Sequence, residues 1–400
     1  NRTDCVLQTG HVTYSRHIAK YFLTEAKGLC QYETGYMKLF DDPSLNANKL
    51  GGGVFPMTVT ISDIARSVGV SSATVSRVLN SPHIVKEETR IKVLRAMEDQ
   101  GYIYNALAGG LTKKRTATIG LIIPTITNPI FAIATKEIQN TARKRGYSIL
   151  LGSTEYSYDT EFEVVSLFHE KRVDGIIFMG APGNHKSMEF VKKFKIPFVV
   201  TWEILEAKDV NFVAFDNIQS ARQATDYLIS LGHRRIAMIT GPLTDTSRAY
   251  QRLEGYRQAL AAHDLPCDES LIVQKNYTVE DGKEAMSRLL REKEIPTAVF
   301  CGNDILAFGA MAAVKEDGFI VGTDISIVGF DDLDISRVTD PQLTTVHVPA
   351  NRMGKMAGEL LISLIEEKVQ QTRQYILDCS LVIRKSTGNP SLPQELHRRE

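Results

Sequence analysis

The chain has 400 residues, too many for one small hydrophobic core, which predicts two or three domains. Hydrophobic residues make up 43% and 47 basic side chains balance 47 acidic ones, so a soluble globular protein is expected and a uniformly basic nucleic-acid coat is excluded. No apolar run approaches a membrane helix, and five scattered cysteines without a Cys-x-x-Cys pair argue for a reducing cytoplasm and against structural zinc.

Residues 1–56 read as an extension, not native or disordered, ahead of the folded domains. Met57 is the expected natural start, with Gly51-Gly52-Gly53 a purine-rich ribosome-binding site read as protein. Residues 57–115 hold nine Lys/Arg against five acids, a local excess of four positive charges on a neutral body. That imbalance suits a small DNA-reading head.

Residues 57–102 carry two short helical patterns joined at Gly69. Ile64, Ala65 and Val68 share one face of the first, and Val75, Val78 and Leu79 one face of the second. Thr60 and Asp63 fit a capping box, Gly69 permits a sharp turn, and Ser71 or Ser72 can cap the second helix. On that helix Ala73 and Arg77 are four residues apart and share a face directed away from Val75. A small, cationic outward face is what a recognition helix in a major groove needs. Arg77 can fork onto a guanine edge, and Ser72 and Thr74 can hold phosphates. A plain helical hairpin with solvated polar residues satisfies the helical pattern equally well.

The string Thr60-Ile61-Ser62-Asp63-Ile64-Ala65, Gly69-Val70-Ser71 and Thr74-Val75-Ser76-Arg77-Val78-Leu79-Asn80 resembles the headpiece of the lactose-repressor/galactose-repressor family of bacterial regulators. The likeness continues through Thr89-Arg90, Val93 and Gly101-Tyr102, and on to about Ser386. It implies DNA contacts from Thr60, Ser71, Ser72, Ala73, Thr74, Ser76, Arg77 and Asn80. Lys86 stands where the family often has a capping Ser, so the third helix relies on Glu87 and Glu88 at its positive end.

Residues 103–115 form a link in which Asn105–Leu111 resembles the family's hinge helix, which folds on DNA. Gly109 and Gly110 disfavour that helix by about 1 kcal/mol each relative to Ala, so its ordering is coupled to binding. The resemblance makes Leu111 the wedge in the central minor-groove step. Gly109 stands where the family often has Arg.

From Thr116 on, β-branched runs (Ile119–Ile123, Ser148–Leu151, Gly175–Met179, Phe198–Thr201, Phe212–Phe215, Arg235–Thr240, Ala298–Cys301, Ser326–Gly329) alternate with helical patterns that include Phe131–Arg145, Ser220–Leu231, Arg248–His263 and Asp304–Asp317. This rhythm predicts parallel, doubly wound sheets. The expected fold is therefore an all-α helix-turn-helix headpiece plus an α/β core resembling the two-lobe periplasmic-binding-protein-like fold. The core would span 116–388, the N-lobe being 116–217 plus 346–374 and the C-lobe 218–345 plus 375–388, with a tail over 389–400. Crossings near Asp216–Ile218, Thr344–Val348 and Gln374–Leu377 would make the hinge.

Ligands of open α/β sheets sit beyond the carboxyl ends of strands. Those ends supply Asn128 and Phe131, Asp216-Asn217, Gly302-Asn303-Asp304, Gly329-Phe330-Asp331-Asp332, and the helix start carrying Arg248 and Arg252. The family comparison implies that Arg252 and Asp331 grip the effector, that Asn303 and Tyr277 add contacts, and that Phe131 stacks on it. Arg forks onto a carboxylate or two hydroxyls, and Asp accepts from sugar hydroxyls. Arg248 beside Arg252 would suit a sugar acid. Tyr156-Ser157, Arg172–Gly175 and Val200–Glu203 resemble the gluconate-repressor branch, and Trp202 faces either the cleft or the lobe surface.

The resulting expectation is a cytoplasmic transcriptional repressor, a homodimer on a pseudo-palindromic double-stranded operator, controlled by a sugar or sugar acid. It needs no cofactor, metal or membrane, and no catalytic residues are assigned. The alternatives are a sugar-binding module without DNA function and a regulator of the same family activated by a corepressor or phosphoprotein. An enzyme is disfavoured because no dinucleotide, Walker, zinc-protease or nucleophile-elbow motif occurs.

Overall fold

The computed structural model describes residues 59–102, 115–183, 185–244, 247–367 and 371–390. The expected extension 1–56, the hinge with Leu111, the tail beyond 390 and the side chain of Asn80 lie outside the described residues. The chain divides into two compact units that meet in sequence at Tyr104 and Asn105.

The first unit packs three helices, α1 (Ile61–Val68), α2 (Ser72–Asn80) and α3 (Glu87–Asp99). Their apolar stripes converge on one seam of Ile64, Ala65, Val75, Val78, Val93 and Met97. Val68 and Leu79 pack at its edge. Thr60 and Asp63 form the expected capping box at α1. Gly69 ends α1 at φ 72°, a left-handed conformation that a Cβ disfavours, and Val70 N–H returns to the Ala65 carbonyl. Ser71, not Ser72, caps α2 by accepting from the Thr74 N–H at 3.1 Å. No side chain caps α3, and Glu87 and Glu88 occupy its first turn.

The second unit alternates strands and helices: β1 (Thr118–Ile123), α4 (Pro129–Lys144), β2 (Ser148–Ser153), α5 (Tyr158–Glu170), β3 (Gly175–Met179), α6 (His185–Lys193), β4 (Phe198–Thr201), β5 (Phe212–Ala214), α7 (Asn217–Ser230), β6 (Ile236–Thr240), α8 (Ser247–Ala262), β7 (Ile272–Gln274), α9 (Val279–Leu289), β8 (Ala298–Cys301), α10 (Asp304–Glu316), β9 (Ser326–Asp331), β10 (Thr344–His347), α11 (Ala350–Glu367), β11 (Gln374–Ile376) and β12 (Ser380–Val382). They build two six-stranded sheets, ordered β11-β5-β4-β3-β1-β2 and β12-β10-β9-β8-β6-β7. All pairings are parallel except β10 with β12. The exception is an edge strand: β12 enters its sheet three residues after β11 has left the other.

The chain passes between sheets three times, after β5, after β10 and after β11. Two expected lobe limits move. β10 pairs with β9 through His347, so the second crossing falls after 347 rather than before 346. Strand β11 pairs with β5, which keeps 375–376 in the first lobe rather than the second. The crossings are threaded by a continuous apolar core in which Phe215 of the first lobe meets Phe330 of the second, ring centroids 6.1 Å apart. Both sheets are thereby held with their strand ends facing a shared cleft.

Candidate DNA-reading helix and ligand cleft

On α2 the seam side chains Val75 and Val78 are buried, and this leaves Ser72, Ala73 and Arg77 exposed on the opposite side. Thr74 and Ser76 are half-buried. The Thr74 hydroxyl shares a 2.9 Å hydrogen bond with Ser71 Oγ, so both serve the helix start as well as facing solvent. The Thr60 hydroxyl donates to Asp63 Oδ2 at 2.6 Å. A neutral, short-chained start followed by a protruding guanidinium one turn later is compatible with close approach to a groove. Gln100 at the end of α3 donates to Ser67 Oγ at 2.8 Å, fixing the third helix against the first.

In the second unit the six residues expected to bind an effector, Phe131, Arg248, Arg252, Tyr277, Asn303 and Asp331, line one cavity. Asn128, Ile130, Tyr156 and Trp202 complete it, and Trp202 therefore faces the cleft. The residues come from both lobes because each sits at a strand's carboxyl end or on the helix that follows. Asn128 caps α4 by accepting from Ile130 N–H at 3.1 Å, which brings Phe131 into the first turn. Asn303 caps α10 in the same way through Leu306 N–H at 2.9 Å. Gly241 follows β6, and a Cβ there would stand 2.1 Å from a Tyr277 ring carbon, so the tyrosine ring occupies the space that the glycine leaves open.

Three cleft residues, Tyr156, Trp202 and Asp331, hold positive φ of 61°, 71° and 122°. Such backbone is disfavoured in residues with a Cβ, by about 1–3 kcal/mol each, and clusters at functional sites. Phe131 and Trp202 lie with ring centroids 5.4 Å apart and make an apolar wall. Tyr156 and Tyr277 approach to 5.4 Å across the cleft. The mouth outside them is a cavity of about 670 Å³, bounded also by Thr125, Glu155, Asp159 and Asn276.

The charged groups are deeply placed. Arg252 donates from Nε to Asn217 Oδ1 at 3.1 Å and from Nη1 to the Gly302 carbonyl, and its guanidinium lies 3.7 Å over the Phe330 ring. Burial pulls its pKa down, and neighbouring Asp331 opposes that pull. Asp331 is 3% exposed. Burial pushes its carboxyl up to about 7 despite the opposing attraction of Arg252 and Arg248. Arg248 sits 5.5 Å over Phe131 and 3.5 Å from the Glu203 carboxylate.

Three further participants lie outside the six expected effector contacts, although Asn217 and Asp304 belong to the strand ends named above. Glu203 follows Trp202, and only the fold shows its carboxylate turned to Arg248. Asn217 orients Arg252 from the start of α7. Asp304, fully buried beneath the site, accepts from Leu333 N–H at 2.8 Å, Ser336 Oγ at 2.7 Å and Thr345 Oγ1 at 2.5 Å, and burial raises it to about 6. It secures the segment after Asp331 to α10. The only hint of its role in the sequence is a carboxylate beside the Asn303 cap.

Among the described residues no group of three metal-ligating side chains converges, and no helix is long and apolar enough to cross a membrane. The cleft offers paired cations and anions around an apolar wall, an arrangement for gripping a small polar molecule with an apolar face.

Residues 60–105 match the family model for bacterial regulatory proteins of the lacI family, and residues 225–387 match that of the periplasmic binding protein-like domain. Catabolite control protein A of Priestia megaterium is 37% identical over 331 residues, covering 83% of this chain and 100% of the relative. The HTH-type transcriptional repressor PurR of Histophilus somni is 35% identical over 82% of this chain and 98% of its own length. Among solved structures, the lac repressor dimer bound to operator and the anti-inducer ONPF superposes with a TM-score of 0.74 at 29% identity, over 82% of this chain and 99% of that one. These relatives are transcription regulators rather than enzymes. The chain belongs to the lacI family of bacterial regulatory proteins and is a DNA-binding transcriptional regulator.

Proposed function

We propose that this regulator is a repressor whose operator affinity is set by a sugar or sugar acid held between the two lobes, with gluconate and its neutral relatives as the compounds to try first. The observation that carries the reading is the cavity itself: six residues spread from Phe131 to Asp331 line one space. Arg252 and Asp331 grip hydroxyls, Arg248 and Asn303 add polar contacts, and Phe131, Trp202 and Tyr277 cover an apolar sugar face. Exposed Ser72, Ala73 and Arg77 on α2 read the major groove, while Thr60, Ser71, Thr74, Ser76 and Asn80 settle the helix on the backbone. Leu111 wedges the central minor-groove step.

Two copies pair so that their headpieces meet two half-sites of a pseudo-palindrome. In support, Ile335 and Val338, in and just after a 3-10 turn of the second lobe, are 52% and 78% exposed. Ligand and DNA act on one two-state element, so each alters the affinity for the other by the same factor. The test is a DNA-binding titration on the DNA upstream of the chain's own gene, repeated with gluconate, other sugar acids, neutral sugars and purines. Salt-sensitive binding weakened by one compound is expected. No DNA binding under any condition would return a ligand-binding module without DNA function to first place.

A further inference from the structure

The two arginines of the cleft, read from the sequence, look like a site for an acid. Their partners change that arithmetic. Glu203 lies just past β4 in the first lobe, and its side chain is 3% exposed. Its Oε1 accepts from the Ala181 N–H at 3.0 Å and stands 3.5 Å from Arg248 Nε. Its Oε2 accepts from the Ser247 hydroxyl. Ser247 and Arg248 open α8 of the second lobe, so this buried ion pair spans the cleft. Arg248 is itself 10% exposed. On the other side, Arg252 shares the cavity wall with Asp331, and its Nε and Nη1 donors are engaged by Asn217 and Gly302. Arg248 is therefore already matched by a buried carboxylate, and two of the three guanidinium nitrogens of Arg252 are already donating within the protein.

A ligand carboxylate entering this space would compete with Glu203 for the one guanidinium of Arg248 and would stand close to a second buried negative charge. Separating one member of a buried pair is strongly unfavourable because the remaining charge loses its compensation. A hydroxyl needs no such exchange. It donates to a carboxylate and accepts from a guanidinium edge in the same contact.

We propose that Glu203 is a specificity-determining residue: by holding Arg248 across the cleft, it tunes the site to a neutral sugar or polyol over the sugar acid of the same skeleton. The inference rests on the sugar-class ligand proposed above, and it names which charge state of that class is preferred. Glu203 acts through Arg248, since it lines the chamber next to the ligand space rather than the space itself.

Calorimetric titration of the full chain with two matched pairs, glucitol against gluconate and glucose against glucuronate, tests this. For the pair that binds, the wild type should favour the neutral member. Glu203→Gln removes the charge at nearly constant shape, and it should shift the ratio of the two affinities toward the acid by at least tenfold. A smaller shift with ligand binding retained, or a wild type that favours the acid, overturns the proposal. If none of the four binds, the matched pair is taken from the sugar that weakens operator binding in the titration above; no sugar doing so is a failure of the sugar-class reading itself, which is a different result. Should Glu203→Gln lose cooperative melting, Arg248→Gln carries the test in the opposite sense. It leaves Glu203 as surplus negative charge, and the ratio should move at least tenfold further toward the neutral member; an unmoved ratio overturns the proposal.

Discussion

In the headpiece, polar side chains lie at the surface and act on helix ends; in the two-lobed core, the polar side chains that matter are buried and act on one another. Thr60 and Ser71 each satisfy an amide within three residues of themselves. Arg252, by contrast, reaches Asn217 and Gly302, 35 and 50 residues away, and Asp304 reaches Thr345 across 41. The first kind of contact is local and sits in water, where a hydrogen bond contributes about 1 kcal/mol. The second kind exists only after folding has excluded water, and there an unmatched group is far more disruptive.

The largest effect should come from the cleft's apolar wall. Trp202→Ala removes a side chain that is 1% exposed and packed on Phe131, and should destabilise the core by about 3–5 kcal/mol in denaturant unfolding. An effect as small as that of a headpiece cap would erase the contrast between the two regions.

Next in size is a pH effect. Because burial raises Asp331 to about 7, the folded protein holds that proton more tightly than the unfolded chain does. The stability tied to it is full below about pH 4, where an unfolded Asp titrates, and is lost as pH rises through about 7. Asp331→Asn, which cannot ionise, should therefore melt above the wild type at pH 8, with the gap closing toward pH 4, while ligand affinity falls. Parallel melting curves across that range would show that Asp331 is not held in a desolvated site.

Arg77→Ala comes third. It should weaken operator binding by about 1–3 kcal/mol, the range for a base-reading arginine, and leave ligand affinity in the core unchanged. Unaltered operator binding would remove α2 from the groove. The smallest effect belongs to Ser71→Ala, which deletes the α2 cap and should lower headpiece stability by about 1 kcal/mol in thermal melting of the chain. A result as large as that of Trp202→Ala would mean that Ser71 does more than cap.

The same contrast explains what was legible. The headpiece could be read residue by residue, since Thr60, Asp63, Gly69 and Ser71 form their structure with near neighbours and the seam follows helical period. The choice between Ser71 and Ser72 as cap is a difference of one residue that backbone geometry decides. In the core the β-branched runs marked most strands, but β10 and the short edge strands β7, β11 and β12 were not among them. Arg248, Arg252 and Asp331 stood out because strand ends and the family likeness pointed to them. Glu203 did not, and Asp304 was placed at a strand end without a role, because an acid in a sequence carries no mark of whether it will be buried.

The sequence alone determined the helix-turn-helix head, the alternating α/β body and membership of the family, since capping, periodicity and motif order are properties of short stretches. Only the tertiary structure decided which charges face one another. Glu203 and Arg248 are 45 positions apart and become a pair only when β4 of one lobe and α8 of the other close on the same space, where low dielectric makes each charge depend on its partner.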